Sequence, residues 1–448
     1  MVRSNHNCGI WKESGMRLNI KNFSKIKDAS ILVDGITVIA GENNTGKSTV
    51  GKILFSLFNS VANMEENIEK QRRAEIQESC RMALRNYDAH GDTYRIRQLS
   101  FYRKTAQEIA DHISRIQERQ GQILPEQVYT VLEDTLEVLF ERNRKSEYQA
   151  LLLDLLKNIM NILDLPEKAI SLELLTRYFD SIFSGQINSL IEQDLDAFLE
   201  LNIKDKNIIL SFQDNKCFDY QSSISLINKA VYIDNPFIID RLNSFSDLNS
   251  IDSHLRNLLL YQREENANYG VIESVLAKEK LNEIFQTLQK IADGKIVVKK
   301  DEEFYLEKEG FYQPVSFSNL STGLKSFVIL KMLLEKGLLL EKDVLILDEP
   351  EVHLHPQWQI VYAELIVLLQ KYFDLSIVVT THSPYFLEAL NLFSVKHGFG
   401  EKVNYYLSAM DHDYVKIECV TDHIDSIYER MASPIQMLDS LRYELNNG

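Results

Sequence analysis

The sequence predicts an α/β fold built on a mixed β-sheet, with a helical arm inserted into it. Three observations predict it. A β-rich run, Gly35-Ile-Thr-Val-Ile-Ala40, leads into a glycine-framed loop and then into helical periodicity. Toward the C-terminus strands alternate with helices, the pattern of parallel strands joined by crossovers. Between these parts helical patterning holds from Lys47 to about Leu199.

The elements follow in order. Met16 to Phe23 alternates apolar and polar residues like a strand, and Ala29 to Val33 reads as a second. After Lys47, residues Val50, Ile53, Leu54, Leu57, Phe58 and Val61 share one face at helical spacing. Breaks at Gly91, Gly121 to Pro125 and Pro166 interrupt the helical stretch, and no heptad pattern is sustained. A compact arm is therefore expected, not a long coiled coil. Strand signals return at Asn207–Phe212 and Ala230–Ile233. A helix is expected from Val271 to Ala292, a hairpin from Gly294 to Leu306, and a helix from Leu320 to Leu340. Val344–Leu347 and Ser376–Thr380 read as buried strands, with a helix opening at Pro356 between them. Val403–Leu407 and Tyr414–Cys419 complete the strands. The expected organisation is a disordered leader over 1–15 (or an upstream start codon used in place of Met16), then an N-terminal lobe over 16–60. A helical arm over 61–200 follows, then return strands with a helical insertion over 201–270, and a C-terminal lobe over 271–448.

Composition bounds the class. Of 448 residues, 45% are hydrophobic and 25% charged, which excludes wholesale disorder. No apolar run approaches 18 residues, so no membrane span is expected, and Met1 to Lys12 lacks a signal-peptide core. Cys8, Cys80, Cys217 and Cys419 are scattered, which argues against zinc ribbons and disulfide frameworks and fits a reducing cytoplasm. The formal charge of −16 gives no general basic footprint for nucleic acid, although a local groove could still hold DNA.

The chemistry is concentrated in four motifs. Gly41-Glu42-Asn43-Asn44-Thr45-Gly46-Lys47-Ser48, followed by Thr49, has the G-x-x-x-x-G-K-[ST] pattern between a strand and a helix. There backbone amides and a helix N-terminus cradle phosphates, Lys47 reaches the β- and γ-phosphates, and Ser48 can ligate Mg²⁺. No Asn-Lys-x-Asp motif for guanine is present, so ATP is the expected nucleotide. Val344 to Leu347 delivers Asp348 and Glu349 to the end of a buried strand. Asp348 can hold Mg²⁺ and Glu349 can deprotonate the attacking water, although an acidic turn after a core strand is common by itself. Ser321-Thr322-Gly323 opens a helix, which makes either a second anion site or a simple cap. Thr381-His382-Ser383-Pro384 ends another strand, where His382 could sense a γ-phosphate.

Together these motifs resemble an ATPase of the ABC/SMC class: Walker A at Gly41–Ser48, signature at Leu320–Lys325, Walker B at Asp348-Glu349, switch histidine at His382. The resemblance implies an ABC/SMC-type P-loop ATPase head. Asp348-Glu-Pro-Glu-Val-His-Leu-His-Pro356 and Thr380-Thr-His-Ser-Pro384 further resemble bacterial ATPases of the OLD-like group, which includes the Septu and PARIS anti-phage subunits. The signature departs from the family in Thr322 and Leu324. The glutamine that links Mg²⁺ to the arm has no clear match, with Gln98 and the Asp234-Asn235 turn as candidates. The family's mechanism implies two copies paired head to tail, with Lys47 of one and Ser321 of the other on the same ATP.

OLD-type nucleases carry a further metal-dependent domain, and the residues after Leu390 are too few for one of ordinary size. Asp411 and Asp413 read as a polar hairpin turn, and His353 and His355 lack further ligands for zinc. No nuclease is expected in the chain. The expected function is a switch or scaffold ATPase of a defence system, a homodimer or higher homo-oligomer controlling a separate nuclease effector. The alternative is an SMC/RecF-like repair ATPase on broken or gapped DNA. A transporter subunit is disfavoured by the size of the helical insertion.

Overall fold

In a computed structural model of the chain, the structure describes residues 15–88, 95–140, 145–243, 249–261, 282–298 and 303–447. The chain folds as two compact units, one of residues up to Ala62 together with Leu175 onward, the other Asn63–Leu174.

The first unit is built on an eleven-stranded mixed sheet. Its parallel heart comprises β3 (Ile36–Gly41), β7 (Ala230–Ile233), β11 (Val344–Asp348), β12 (Ser376–Thr381) and β13 (Val403–Asp411), in the order β13-β3-β12-β11-β7. These strands read as near-continuous apolar runs because both of their faces are covered. On one face Val38, Leu345, Leu347 and Val379 pack into a cluster with α9 (Thr322–Glu335), α10 (Pro356–Phe373) and α11 (Pro384–Lys396). On the other face Ile346 and Tyr232 meet Gly51 of α1 (Lys47–Val61), where a Cβ would lie 2.9 Å from Ile346.

The remaining strands form an antiparallel flank. β1 (Met16–Phe23) pairs with β2 (Ile26–Val33) and with β4 (Ala197–Ile203), and β4 continues to β5 (Lys206–Gln213) and β6 (Lys216–Ser222). β14 (Tyr414–Cys419) joins this flank to β13. A separate small sheet holds β8 (Lys295–Val298), β9 (Phe304–Glu307) and β10 (Val315–Ser316). Helix α7 (Ser250–Leu260) and helical residues 282–289, here α8, also pack in this unit, and α12 (Asp425–Asn447) closes the described chain.

Among its described residues the second unit is built of helices, α2 (Met64–Asp88), α3 (Arg95–Gln120), α4 (Pro125–Leu139) and α5 (Lys145–Leu163), and α6 (Glu167–Phe183) starts within it. It has its own core around Ile76, Leu84, Ile109, Leu132 and Leu155.

Several boundaries differ from the sequence reading. β4 begins at Ala197, inside the stretch read as helical, pairing with β1 and β5 while Ala197, Leu199 and Leu201 alternate onto the buried face of the sheet. β6 carries no apolar alternation because it is an exposed edge. The helix expected to reach Leu340 stops at Glu335, where Gly337 takes a left-handed φ of 60° and its amide caps Leu334. The break at Gly91, the leader up to residue 14 and the start of the helix placed at Val271 lie outside the described residues. Cys80 and Cys217 are free and buried, and Cys8 lies outside the described residues. Among the described residues no helix is long and apolar enough to cross a membrane.

Phe327 of α9 is fully buried, edge-on to Trp358 at 6.0 Å and to Tyr362 at 5.1 Å. Phe327→Ala is expected to lower stability by about 3–5 kcal/mol, read from the denaturant midpoint. A loss below about 1 kcal/mol would show that this contact does not hold α9 to α10.

Candidate functional site

The loop between β3 and α1 takes its shape from small residues and left-handed backbone. Gly41 lies against β13, and a Cβ there would sit 2.1 Å from the Ser408 carbonyl. Asn44 has φ 64° and Gly46 has φ 80°. The Thr45 hydroxyl donates to the Glu42 carbonyl at 2.8 Å, and the Ser408 hydroxyl donates to the Thr45 carbonyl. No side chain caps α1, so its first amides remain available to an anion. Thr49 follows in the first turn of α1.

Lys47 is 3% exposed, and its ammonium donates to the carbonyls of Gly41 at 3.0 Å and Glu42 at 2.7 Å. It also lies 3.3 Å from Glu349 Oε1. The neighbouring Ser48 hydroxyl donates to Asp348 Oδ1 at 3.0 Å. Two further hydroxyls reach the same carboxylate: Tyr232 donates to Oδ2 at 2.6 Å, and Thr380 donates to Oδ1. Register explains the convergence, since Asp348 pairs with Thr380 and Leu347 with Ile233. Burial, then the charge and hydrogen bond of Asp348, push the Tyr232 phenol well above its usual range, so it stays a donor.

Glu349 follows with a left-handed φ of 48°, a strained conformation for a residue with a Cβ. Its amide donates to the Thr380 hydroxyl at 2.9 Å and to the Thr380 carbonyl at 3.2 Å, which holds the turn against β12. His382 Nδ1 lies 3.6 Å from Glu349 Oε2 and 3.6 Å from Glu351 Oε1. Glu351 is buried, and burial raises its carboxyl above the usual range while the Thr381 hydroxyl and the His382 amide oppose the rise. Gly41, Glu42, Asn43 and His382 line a cleft of about 240 Å³ with Leu407 and Arg430. A larger groove of about 780 Å³ between α3 and α4 holds none of these residues.

The structure thus brings the glycine-framed loop, Asp348, Glu349 and His382 into one cluster. It does not bring Ser321 or Gly323 there. Ser321 is exposed at the N-cap of α9 and accepts from the Leu324 amide at 3.4 Å. Among the described residues no hydrogen bond joins Ser321 or Gly323 to the 41–48 loop. Gly323 also has a reason within its own chain to be glycine, because a Cβ would lie 2.9 Å from the His353 carbonyl and 3.1 Å from the Trp358 ring. His353 stacks edge-on to Phe237. Of the candidates for the linking glutamine, Gln98 lies on α3 of the helical unit, and Asp234 lies at the tip of β7 beside Tyr232.

Sequence reasoning missed Tyr232, Thr380 and the structural part of Glu351. Tyr232 gave no local signal because only pairing of β7 with β11 brings it to Asp348. Among the described residues no cluster of three or more His, Cys, Asp or Glu could hold a metal. Mg²⁺ needs no such cluster: Ser48 Oγ and Asp348 Oδ1 are hard oxygens 3.0 Å apart, and Mg²⁺ takes few protein oxygens together with substrate phosphates.

A strand, a glycine-framed loop, a helix and an acid-tipped parallel strand next but one in the sheet define a P-loop ATPase of the AAA class. The sequence profile described as "AAA domain, putative AbiEii toxin, Type IV TA system" matches residues 36–388, and the chain belongs to that family. No curated protein matches it in sequence. Among solved structures it is similar to the SMC head domain from Thermotoga maritima, at 14% identity and TM-score 0.38 over 91% of this chain and 99% of that one. It is also similar to an Smc head bound to the C-terminal winged-helix domain of ScpA, at 11% identity and TM-score 0.40 over 91% and 97%. A third similar structure is the Smc head with an extended coiled coil bound to the C-terminal domain of ScpA from Pyrococcus furiosus, at 10% identity and TM-score 0.31 over 96% and 99%.

Desolvation, then the charges of Asp252 and Asp348, push the Asp234 carboxyl up to about 6, although one side of it is open to solvent and Lys52 opposes the shift. Because the folded state holds this proton more tightly, stability falls as pH rises from about 4 to about 6. Asp234→Asn is expected to raise stability at pH 7 by about 1 kcal/mol after solvent screening, with the gain fading toward pH 4. Thermal melting across that range checks it, and a gain independent of pH would contradict it.

Proposed function

We propose that this chain is an ATP-binding and hydrolysing switch subunit of a bacterial anti-phage defence system, acting in the cytoplasm. It pairs head to tail with a second copy around ATP and controls a separate nuclease effector. The observation that carries the ATPase reading is the cluster of Lys47, Ser48, Asp348 and Glu349, joined by contacts of 3.0 and 3.3 Å.

The arrangement can do the chemistry as follows. Lys47 is held by two carbonyls and by Glu349. Phosphate oxygens at the loop compete with Glu349 for that ammonium, which leaves the Glu349 carboxylate free to take a proton from water. Ser48 and Asp348 would hold Mg²⁺, which would supply charge stabilisation for phosphoryl transfer. Tyr232 and Thr380 fix the Asp348 carboxylate, and the Thr380 contacts aim Glu349 from its strained turn. His382 stands beside Glu349 on the cleft lined by Asn43, where it can orient a phosphate oxygen or the water.

An exposed Ser321 at a helix N-terminus, with no bond among the described residues to its own phosphate loop, supports use of that helix end on the nucleotide of a second copy. The defence reading is supported by the OLD-like wording of Asp348–Pro356 and Thr380–Pro384. The family description, which names a type IV toxin–antitoxin system, also supports it. ATPase activity stimulated by DNA with no partner protein would favour the repair reading instead.

Lys47→Ala is expected to abolish ATP binding by calorimetry. Glu349→Gln is expected to bind ATP, hydrolyse it about 10²–10⁴-fold more slowly, and accumulate as a nucleotide-bound dimer. Wild-type turnover in that variant would remove Glu349 as the base. Ser321→Arg is expected to fold as wild type but to stay monomeric with ATP in sedimentation. Unchanged ATPase activity would remove the shared-site arrangement.

A further inference from the structure

Behind Glu349 lies a second carboxylate that ATP hydrolysis by the residues above does not use. Glu351 is 2% exposed, and one of its oxygens accepts from the Thr381 hydroxyl at 2.6 Å and from the His382 amide at 2.9 Å. Its other oxygen, Oε2, is buried with no hydrogen-bond partner. Burying a carboxylate so nearly and leaving one oxygen unserved is costly, and a group kept in that state calls for a role. The nearest ring donor is His382, whose Nδ1 lies 3.6 Å from the already bonded Oε1 of Glu351 and 3.6 Å from Glu349 Oε2. The backbone around both residues is braced. Gln359 donates to the carbonyls of Glu351 and Leu354 and accepts from the Ser383 hydroxyl at 2.8 Å.

We propose that Glu351 is a positioning residue for His382, accepting its Nδ1–H so that Nε2 is the nitrogen left for the nucleotide and Glu349 is left for the water. A small ring rotation decides between the two carboxylates, and of the two Glu351 is the one whose facing oxygen, Oε1, is already held by the Thr381 hydroxyl and the His382 amide. An outer carboxylate that receives the second N–H of a working histidine sets its tautomer and ring plane. This inference rests on the proposed role of His382 only for its effect on turnover; the tautomer itself does not.

The test uses the full chain with ¹⁵N-labelled histidine, the His382 signal being assigned by its loss in His382→Asn. Wild type without nucleotide is expected to carry its proton on Nδ1. Glu351→Gln keeps an acceptor for Thr381 and the His382 amide but removes the anionic acceptor, and its His382 is expected to shift to the Nε2–H tautomer. Its kcat for ATP is expected to fall about 10–100-fold with KM nearly unchanged. Glu351→Gln/His382→Asn is expected to be no slower than His382→Asn alone. A wild-type ring protonated on Nε2 overturns the proposal without any variant. Losses that multiply in the double variant also overturn it. If the chain hydrolyses no ATP, the functional reading fails while the tautomer result still decides this one.

Discussion

The Asp348 carboxylate accepts hydroxyl protons from Ser48, Tyr232 and Thr380, which come from α1, β7 and β12, and the rest of the site is arranged around that convergence. Hydrogen bonds to a charged group are worth about 1.5–3 kcal/mol each. Three of them exceed the roughly 1–3 kcal/mol of backbone strain stored at the next residue, Glu349. The strained turn is therefore sustained by its neighbours. It aims the Glu349 side chain at Lys47 instead of letting β11 run on.

That convergence depends on the parallel heart of the sheet. β3, β12, β11 and β7 lie side by side, so their C-terminal ends gather the phosphate loop, the Thr380–Ser383 turn, the Asp348–Glu351 turn and Tyr232 along one edge. Helices on both faces bury these strands and exclude water from everything but their tips. The antiparallel flank from β6 to β2 takes no part in the chemistry, but it extends the sheet from β14. The helical unit has its own apolar core, which is why α2 to α5 can hold shape without heptads.

The Ser321–Gly323 turn shows that a residue read for one purpose can be present for another. Gly323 is required by close packing against His353 and Trp358 within the same chain. The sequence pattern alone had attributed it to phosphate contact. Lys325 next to it is buried and held by both oxygens of Asp240 at 2.7 Å, so this helix start is tied to the turn that follows β7. The Ser321–Lys325 helix start is thus in contact both with the turn after β7 and with the loop after Asp348.

Much of the site was legible because its chemistry is local. Glycines at 41 and 46, a lysine and a serine in the first helical turn, and two acids after an apolar run each carry their meaning within a few residues. For the same reason β1, β3, β11 and β12 could be placed from alternation or from continuous apolar runs. Tyr232, Thr380 and Glu351 were not legible in their roles, because each acts on a group 30 or more residues away and only strand register brings them together. β4 hid in a helical-looking stretch for the same reason, since it becomes a strand by pairing with β1, about 180 residues earlier in the chain, and with β5. Short-range sterics and helix-end electrostatics wrote the phosphate loop into the sequence. The choice of which side chains surround it was made by the order in which the strands pair.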